Sequence, residues 1–350
     1  MKELNFDKLL RKNIKELTPY SSARDEFKGV ASVFLDANEN SFGSPLPNSF
    51  NRYPDPLQWK LKFELAKIKG VPAENIFIGN GSDEVIDLAY RIFCEPGKDN
   101  VIICPPTYGM YEVSANINDV EVKKVPLLQG FQLDVERILG AINEQTKLIF
   151  ICSPNNPTGN SMKRLDIEML LNNFDGLVIV DEAYINFSRQ KSFIAELIEY
   201  PNLLVIQTLS KAWGLAALRI GLGFASLDII NLFNRVKPPY NINEASQTLV
   251  LDALAGNKQV NEWIVLTVTE RNKLFDSLLD FSFVEAIYES DANFLLVKVS
   301  HAEKLYQFLS DNKIVVRNRS QEILCENCLR ITVGTPEENA FLLDVLKQYK

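Results

Sequence analysis

The chain has 350 residues, 46% of them hydrophobic and 23% charged, with a net charge of −8. That length and composition describe a globular protein with room for two ordinary domains, not a disordered or fibrous one. The acidic balance leaves no basic excess to neutralise a phosphate backbone, so a nucleic-acid binder is not expected. No apolar run reaches the roughly 18 residues of a membrane-spanning helix. The opening Met1-Lys-Glu-Leu-Asn-Phe-Asp-Lys8 mixes charges and lacks the apolar core of a signal peptide, so the chain reads as cytoplasmic. Five cysteines, an odd number, suggest no disulfide framework. The single histidine, His301, reads as a surface residue. It leaves Cys325-Glu-Asn-Cys328 short of zinc ligands and argues against a Ser-His-Asp hydrolase, so no metal is expected. The two thiols read as loop residues.

In chain order, Asp55-Pro56 before Leu57, Leu61, Leu65 and Ile68, closed by Gly70, predicts one capped helix. Apolar runs at Ile76–Ile78, Val101–Cys104, Val120–Val125, Leu148–Ile151, Leu177–Val180, Leu203–Gln207 and Ile220–Phe224 read as buried strands. Helix-period segments such as Asp83–Phe93 and Leu133–Ile142 fall between them. This alternation predicts an α/β fold: a large domain with a mainly parallel seven-stranded sheet covered by helices on both faces. Beyond Lys237-Pro-Pro-Tyr240 the texture changes. A long helical region at about Glu244–Leu279 leads to strand Phe294–Val299, helix Ala302–Asn312, strands Ile314–Arg317 and Cys328–Val333, and helix Glu337–Tyr349. That is a smaller α+β domain. The expected division is 1–30 as an arm serving the small domain and a dimer, 31–242 as the large domain and 243–350 as the small one.

Ligands of parallel sheets collect at the carboxyl ends of strands. Four polar clusters follow predicted strands: Gly79-Asn-Gly-Ser-Asp-Glu84, Ser153-Pro-Asn-Asn-Pro-Thr-Gly159, Asp181-Glu-Ala-Tyr184 and Thr208-Leu-Ser-Lys211. Lys211 sits in an apolar, small-residue setting, with Arg219 eight positions on. Desolvation lowers an ammonium pKa and makes the amine a nucleophile able to form a Schiff base. Thr208, Ser210 and Arg219 add donors suited to a phosphate. Pyridoxal phosphate is a carbonyl compound of that description. Asp181, at the end of an apolar strand, is placed to keep a pyridine nitrogen protonated, and Tyr184 to bond the ring oxygen. Gly81, Ser82 and Asp83 open a helix, where backbone N–H groups and the dipole favour an anion. Tyr108 can stack on a ring, and Asn156 sits in a turn from which it can bond a ligand oxygen. Arg317 and Arg330, on neighbouring small-domain strands, suit a substrate with anionic ends. Each of these residues also has a plain reading as a cap, a turn or a packed side chain.

Together, and in this order, the motifs resemble the fold-type I pyridoxal-phosphate-dependent aminotransferases along nearly the whole chain. Leu17-Thr-Pro-Tyr-Ser-Ser-Ala-Arg24, Asp36-Ala-Asn-Glu-Asn40, Arg52-Tyr-Pro-Asp-Pro56 and Cys328-Leu-Arg-Ile-Thr-Val-Gly-Thr335 narrow the resemblance to the histidinol-phosphate aminotransferase family of histidine biosynthesis. The resemblance implies that the chain moves an amino group between histidinol phosphate and 2-oxoglutarate, as a homodimer. It makes Lys211 the anchor of the cofactor and the carrier of the proton. Asp181 faces the ring nitrogen, Tyr184 and Asn156 the ring oxygen, and Tyr108 stacks on the ring. Ser82, Asp83, Thr208, Ser210 and Arg219 take the cofactor phosphate, with Tyr53 reaching in from the partner subunit. Arg330 receives the glutamate carboxylate and, with Arg317, the substrate phosphate. Tyr20, Asn38 and Glu39 lie near the imidazole. The chain departs from the pattern at Arg319, a further cation that leaves open which arginine holds the phosphate. An aromatic amino-acid aminotransferase and a threonine-phosphate decarboxylase of the same fold remain alternatives.

Overall fold

The structure, a computed structural model, describes residues 4–19, 32–46 and 50–349. Tyr20 lies outside them. The seven predicted strands are all present: β1 (Ile76–Asn80), β2 (Asn100–Ile103), β3 (Glu121–Lys124), β4 (Thr146–Cys152), β5 (Leu177–Asp181), β6 (Leu203–Thr208) and β7 (Ile220–Phe224). They form one sheet in the order β1-β7-β6-β5-β4-β2-β3. Neighbours from β3 to β6 pair in parallel, and β7 runs antiparallel to β6 and β1. The reversal has a simple cause. The connection Leu209–Arg219 is shorter than the roughly dozen residues a parallel crossover needs. The chain therefore folds straight back, and Lys211 and Arg219 meet in the turn.

The strands are apolar on both faces because both faces are covered. Alternation divides their side chains between two cores. Ile76, Ile78, Ile149, Ile151, Val178, Val180, Leu203 and Val205 point to one. Phe77, Leu148, Phe150, Leu177, Ile179, Leu204 and Ile206 point to the other, with helix Ser82–Phe93. Residues 4–19 join this second core through Leu9 and Ile14. Over its described stretch, residues 4–19, the arm packs on the large sheet.

The small sheet has β8 (Val284–Ile287), β9 (Phe294–Val299), β10 (Arg317–Asn318) and β11 (Cys328–Thr332), antiparallel in the order β10-β11-β9-β8. Leu295, Val297, Val299, Leu329 and Ile331 face a core closed by helices Asn257–Leu278, Ala302–Asp311 and Pro336–Leu346. Leu296 and Cys328 point the other way, into the first core of the large sheet.

Several boundaries differ from expectation. The first long helix begins at Trp59, because Gln58 takes a left-handed conformation (φ 51°). Asp55 still caps it from a distance, accepting from the Trp59 N–H at 2.7 Å. The stretch after residue 243 is two helices, Glu244–Leu254 and Asn257–Leu278, separated at Ala255-Gly256. Cys325 lies in the loop before β11 and Cys328 opens that strand, and both are buried in the core.

Candidate active site

Strands β1, β4, β5 and β6 end at one edge of the sheet, and β7 begins there. Register places Cys152 beside Asp181, and Thr208 beside Gly221, which in turn lies beside Gly79. The polar clusters that follow these strands are thereby brought together. Ser82, Asp83, Tyr108, Asn156, Asp181, Tyr184, Thr208, Ser210, Lys211 and Arg219 line one cavity of about 150 Å³. Two larger cavities, of about 670 and 690 Å³, have no lysine in their walls.

One end of the cavity is built of anion donors. Gly81 has φ 80° and its N–H donates to the Arg219 carbonyl at 2.7 Å. Helix Ser82–Phe93 starts with no side chain capping it, so its first N–H groups face the cavity end unclaimed by a cap. Gly221 allows the turn to lie against β7: a Cβ there would stand 2.5 Å from the Gly81 carbonyl oxygen, and closer still to the Ser82 nitrogen. The Thr208 hydroxyl donates to Ser210 Oγ at 3.0 Å and accepts from the Ser210 N–H at 3.1 Å. Arg219, itself left-handed at φ 56°, lies over Gly81 and reaches Asp83 Oδ2 at 3.5 Å. The Tyr108 hydroxyl donates to the other Asp83 oxygen at 3.1 Å.

At the far end Asp181 is buried. Tyr111 Oη donates to its Oδ2 at 2.7 Å and the Ala183 N–H to its Oδ1 at 3.0 Å. Burial pushes its pKa up, while those two donors pull it down. Asp181 makes no ion pair among the described residues, so a cationic ring nitrogen would complete its surroundings. Tyr111 stacks on Phe150 (4.9 Å, 21°) and meets Tyr108 edge-on (5.6 Å, 86°). Nothing in the sequence singled out Tyr111; its partner Asp181 is 70 residues away in the chain.

Asn155, fully buried, anchors its loop. Its amide donates to the Pro106 carbonyl (2.9 Å) and Thr158 Oγ1 (2.7 Å), and its oxygen accepts from Thr107 Oγ1 (3.1 Å). The next side chain, Asn156, is left to line the cavity, where its oxygen accepts from Arg330 Nη1. Arg330 thus reaches from the small sheet to the cavity rim, its guanidinium 5.3 Å from the Phe294 ring. Phe294 meets Tyr184 edge-on at 5.2 Å, and Lys211 Nζ lies 5.6 Å from the Tyr184 ring centre. Lys211 keeps solvent access, yet its pKa is lowered, first by desolvation and then by Arg330 and Arg219; Asp181 and Asp83 oppose this.

The remaining sequence candidates lie elsewhere in the single chain. Asn38, Glu39 and Tyr53 line the cavity of about 690 Å³, together with Tyr240, on which Tyr53 stacks at 4.5 Å. The Glu39 carboxylate accepts from Arg52 Nη1 at 2.7 Å and the Tyr53 N–H at 2.6 Å. Arg317 is exposed and lies directly opposite Arg330 in the small sheet. A group with a phosphate at one end, a basic ring nitrogen at the other and a carbonyl near Lys211 suits this donor set, as pyridoxal phosphate does.

The aminotransferase class I and II family model matches residues 30–346. The chain is 52% identical over 345 residues to the histidinol-phosphate aminotransferase of Cytophaga hutchinsonii, with 99% of each chain covered. It is 53% identical over 346 residues to that of Bacteroides thetaiotaomicron, again covering 99% of each. The solved histidinol-phosphate aminotransferase of Clostridium acetobutylicum is similar at a TM-score of 0.79 and 25% identity, over 85% of this chain and 90% of that one. That of Sinorhizobium meliloti, solved in complex with pyridoxal-5'-phosphate, shares the fold at a TM-score of 0.79 and 24% identity, over 90% of each. The chain belongs to the class I and II aminotransferases and, within them, to the histidinol-phosphate aminotransferase family.

Proposed function

We propose that this chain transfers the amino group of L-histidinol phosphate to 2-oxoglutarate, giving imidazole-acetol phosphate and glutamate in histidine biosynthesis, with pyridoxal phosphate as cofactor. The observation that carries the reading is the placement of Lys211 and Asp181 in one cavity, with Arg330 bonded to Asn156 at its rim. Pyridoxal phosphate, when bound, supplies an electron sink for the charge left on the substrate Cα. Lys211, whose pKa burial and two arginines push below the ordinary lysine value, would take the proton from Cα and carry it to the cofactor's C4′. Asp181 holds the proton on the ring nitrogen, and Tyr111 keeps the carboxylate oriented. Tyr184 and Asn156 hold the ring oxygen, and Tyr108 covers the ring face. Ser82 and Asp83 through their backbone, with Thr208, Ser210 and Arg219, hold the phosphate end.

Arg330 orients the glutamate carboxylate by a two-pronged bond, and with Arg317 it receives the phosphate of the other substrate. Tyr20, Asn38 and Glu39 complete the imidazole end. A homodimer brings Tyr53 of the partner subunit to the cofactor phosphate. The apolar side chains exposed between residues 33 and 53, including Leu35 (84%), Phe42 (101%) and Leu46 (58%), support such an interface. The net charge of −8 accords with a site of action in the cytoplasm.

The test is a pair of half-reactions. Holoenzyme mixed with L-histidinol phosphate alone converts its cofactor to the amine form, and 2-oxoglutarate alone converts it back. Conversion by phenylalanine but not histidinol phosphate would refute the substrate, and loss of CO₂ from threonine phosphate would identify a decarboxylase.

A further inference from the structure

The small sheet shows the large domain a face of unusual charge. Arg330 on β11 lies directly opposite Arg317 on β10 and Leu296 on β9. Directly opposed residues of an antiparallel pair share a face of the sheet. The ladder runs one residue past β10, where the Arg319 N–H donates to the Cys328 carbonyl at 2.8 Å. Residues i and i+2 of an extended chain also share a face, so Arg319 stands beside Arg317. Leu296 and Cys328 mark this face, because both pack into the core of the large sheet. Arg317, Arg319 and Arg330 therefore form one cationic patch, directed at the rim where Arg330 meets Asn156.

Their states differ. Arg330 has Asn156. Arg317 is exposed, with no ion pair among the described residues. Arg319 is 19% exposed at its side chain and pairs with Glu322 only at 3.4 Å. Its Nε is buried with no hydrogen-bond partner. After burial itself, Arg319 is the charge that most disfavours protonated Arg330, and its field also reaches Tyr184. Three guanidinium groups against the single carboxylate of Glu322 leave a net +2. A phosphate monoester carries about −1.5 to −2 at neutral pH.

We propose that Arg319 is a third ligand for the substrate phosphate, and that it sets the preference for a phosphorylated amine over an amino acid. This rests on the function proposed above. A carboxylate has two oxygens, and one guanidinium fork satisfies both. A phosphate has a third free oxygen and a second charge, which leaves work for the unpartnered Nε–H. Position agrees with this division. Arg330 bonds Asn156, which lines the cavity with Lys211, while Arg319 pairs with Glu322 and does not line that cavity. The –CH₂–O–PO₃ arm of the substrate extends further from the reacting amine than a carboxylate does, toward the more remote cation. Glu322 holds Arg319 in place until the phosphate arrives.

The experiment compares wild-type, Arg319→Gln and Arg319→Lys holoenzymes in the two half-reactions. For Arg319→Gln, the ratio of kcat/KM for histidinol phosphate to that for glutamate falls at least tenfold, through KM and not kcat. Arg319→Lys, which keeps the charge and most of the buried stem, recovers part of the ratio. Calorimetric titration with glycerol phosphate, a monoester without an amine, gives a Kd that rises in the same order. An unchanged ratio, or equal loss in both half-reactions with an unchanged glycerol phosphate Kd, overturns the assignment. Should the wild type fail to react with histidinol phosphate, the proposed function falls instead, and the glycerol phosphate Kd still decides the role of Arg319.

Discussion

Replacing Gly221 by alanine tests how the phosphate end of the cavity is held. The added Cβ would stand 2.5 Å from the Gly81 carbonyl oxygen, and closer to the Ser82 nitrogen and Gly81 carbonyl carbon. Non-bonded heavy atoms rest at about 3.5–4.0 Å, so the turn must retreat by roughly 1 Å or more. These are backbone atoms and no side-chain rotation relieves them. Overpacking of this kind costs about 1–3 kcal/mol of stability. A turn displaced that far loses at least one hydrogen bond to a charged phosphate, worth about 1.5–3 kcal/mol, or roughly 10- to 100-fold in cofactor affinity. Titration of the apo-protein with pyridoxal phosphate, followed by absorbance, measures the Kd, and a thermal melt measures the stability. Gly223→Ala is the control, because its Cβ would meet only side-chain atoms, Val85 Cγ1 at 3.2 Å and Leu204 Cδ1 and Phe77 Cβ at 3.6 Å. If Gly221→Ala binds the cofactor as the wild type does, either the turn is not held by this contact or the phosphate does not sit there.

Three further outcomes are expected. Burial raises the Asp181 pKa above 3.8 in the folded protein, so its contribution to apo-protein stability is greatest below 3.8 and is lost as pH rises through the folded value. Asp181→Asn removes that loss. Urea midpoints at neutral pH should show apo-Asp181→Asn no less stable than the wild type, while its cofactor affinity falls about tenfold or more; a destabilised apo-protein with unaltered affinity would contradict this. Arg330→Gln removes the strongest charge that lowers the Lys211 pKa. The pH midpoint for the rate of cofactor capture should therefore move up toward 10.5, and an unmoved midpoint would separate the two residues. Mixing Lys211→Ala with Tyr53→Ala chains should restore activity beyond either alone, since a hybrid dimer holds one intact site; no recovery in a shown hybrid would remove Tyr53 from the shared site.

The strands and the residues that line the cavity were legible in the chain because both are written locally. Runs such as Leu148–Ile151 and Leu177–Val180 are apolar throughout, as strands covered on both faces must be. Each polar cluster directly follows a strand, and parallel strands end at a common edge. Strand β8 escaped notice because it is mostly half-buried and mixes Glu285 with apolar residues. The break at Ala255-Gly256 and the left-handed Gln58 were also unmarked by hydrophobic period, which is blind to a single backbone torsion.

By itself, then, the sequence determined the fold class and singled out Lys211, Asp181 and the polar clusters that come to line one cavity, since each is a short run of residue types at fixed spacing. Only the tertiary structure decided what depends on contacts between distant segments. It paired Tyr111 with Asp181, laid Gly221 against the Ser82 turn and buried the Cys325–Cys328 pair. It also aligned Arg317, Arg319 and Arg330 on one face of the small sheet. The reason is register: which residues of two strands stand opposite each other is fixed by the packing of whole elements, and a one-residue slip would turn that face away.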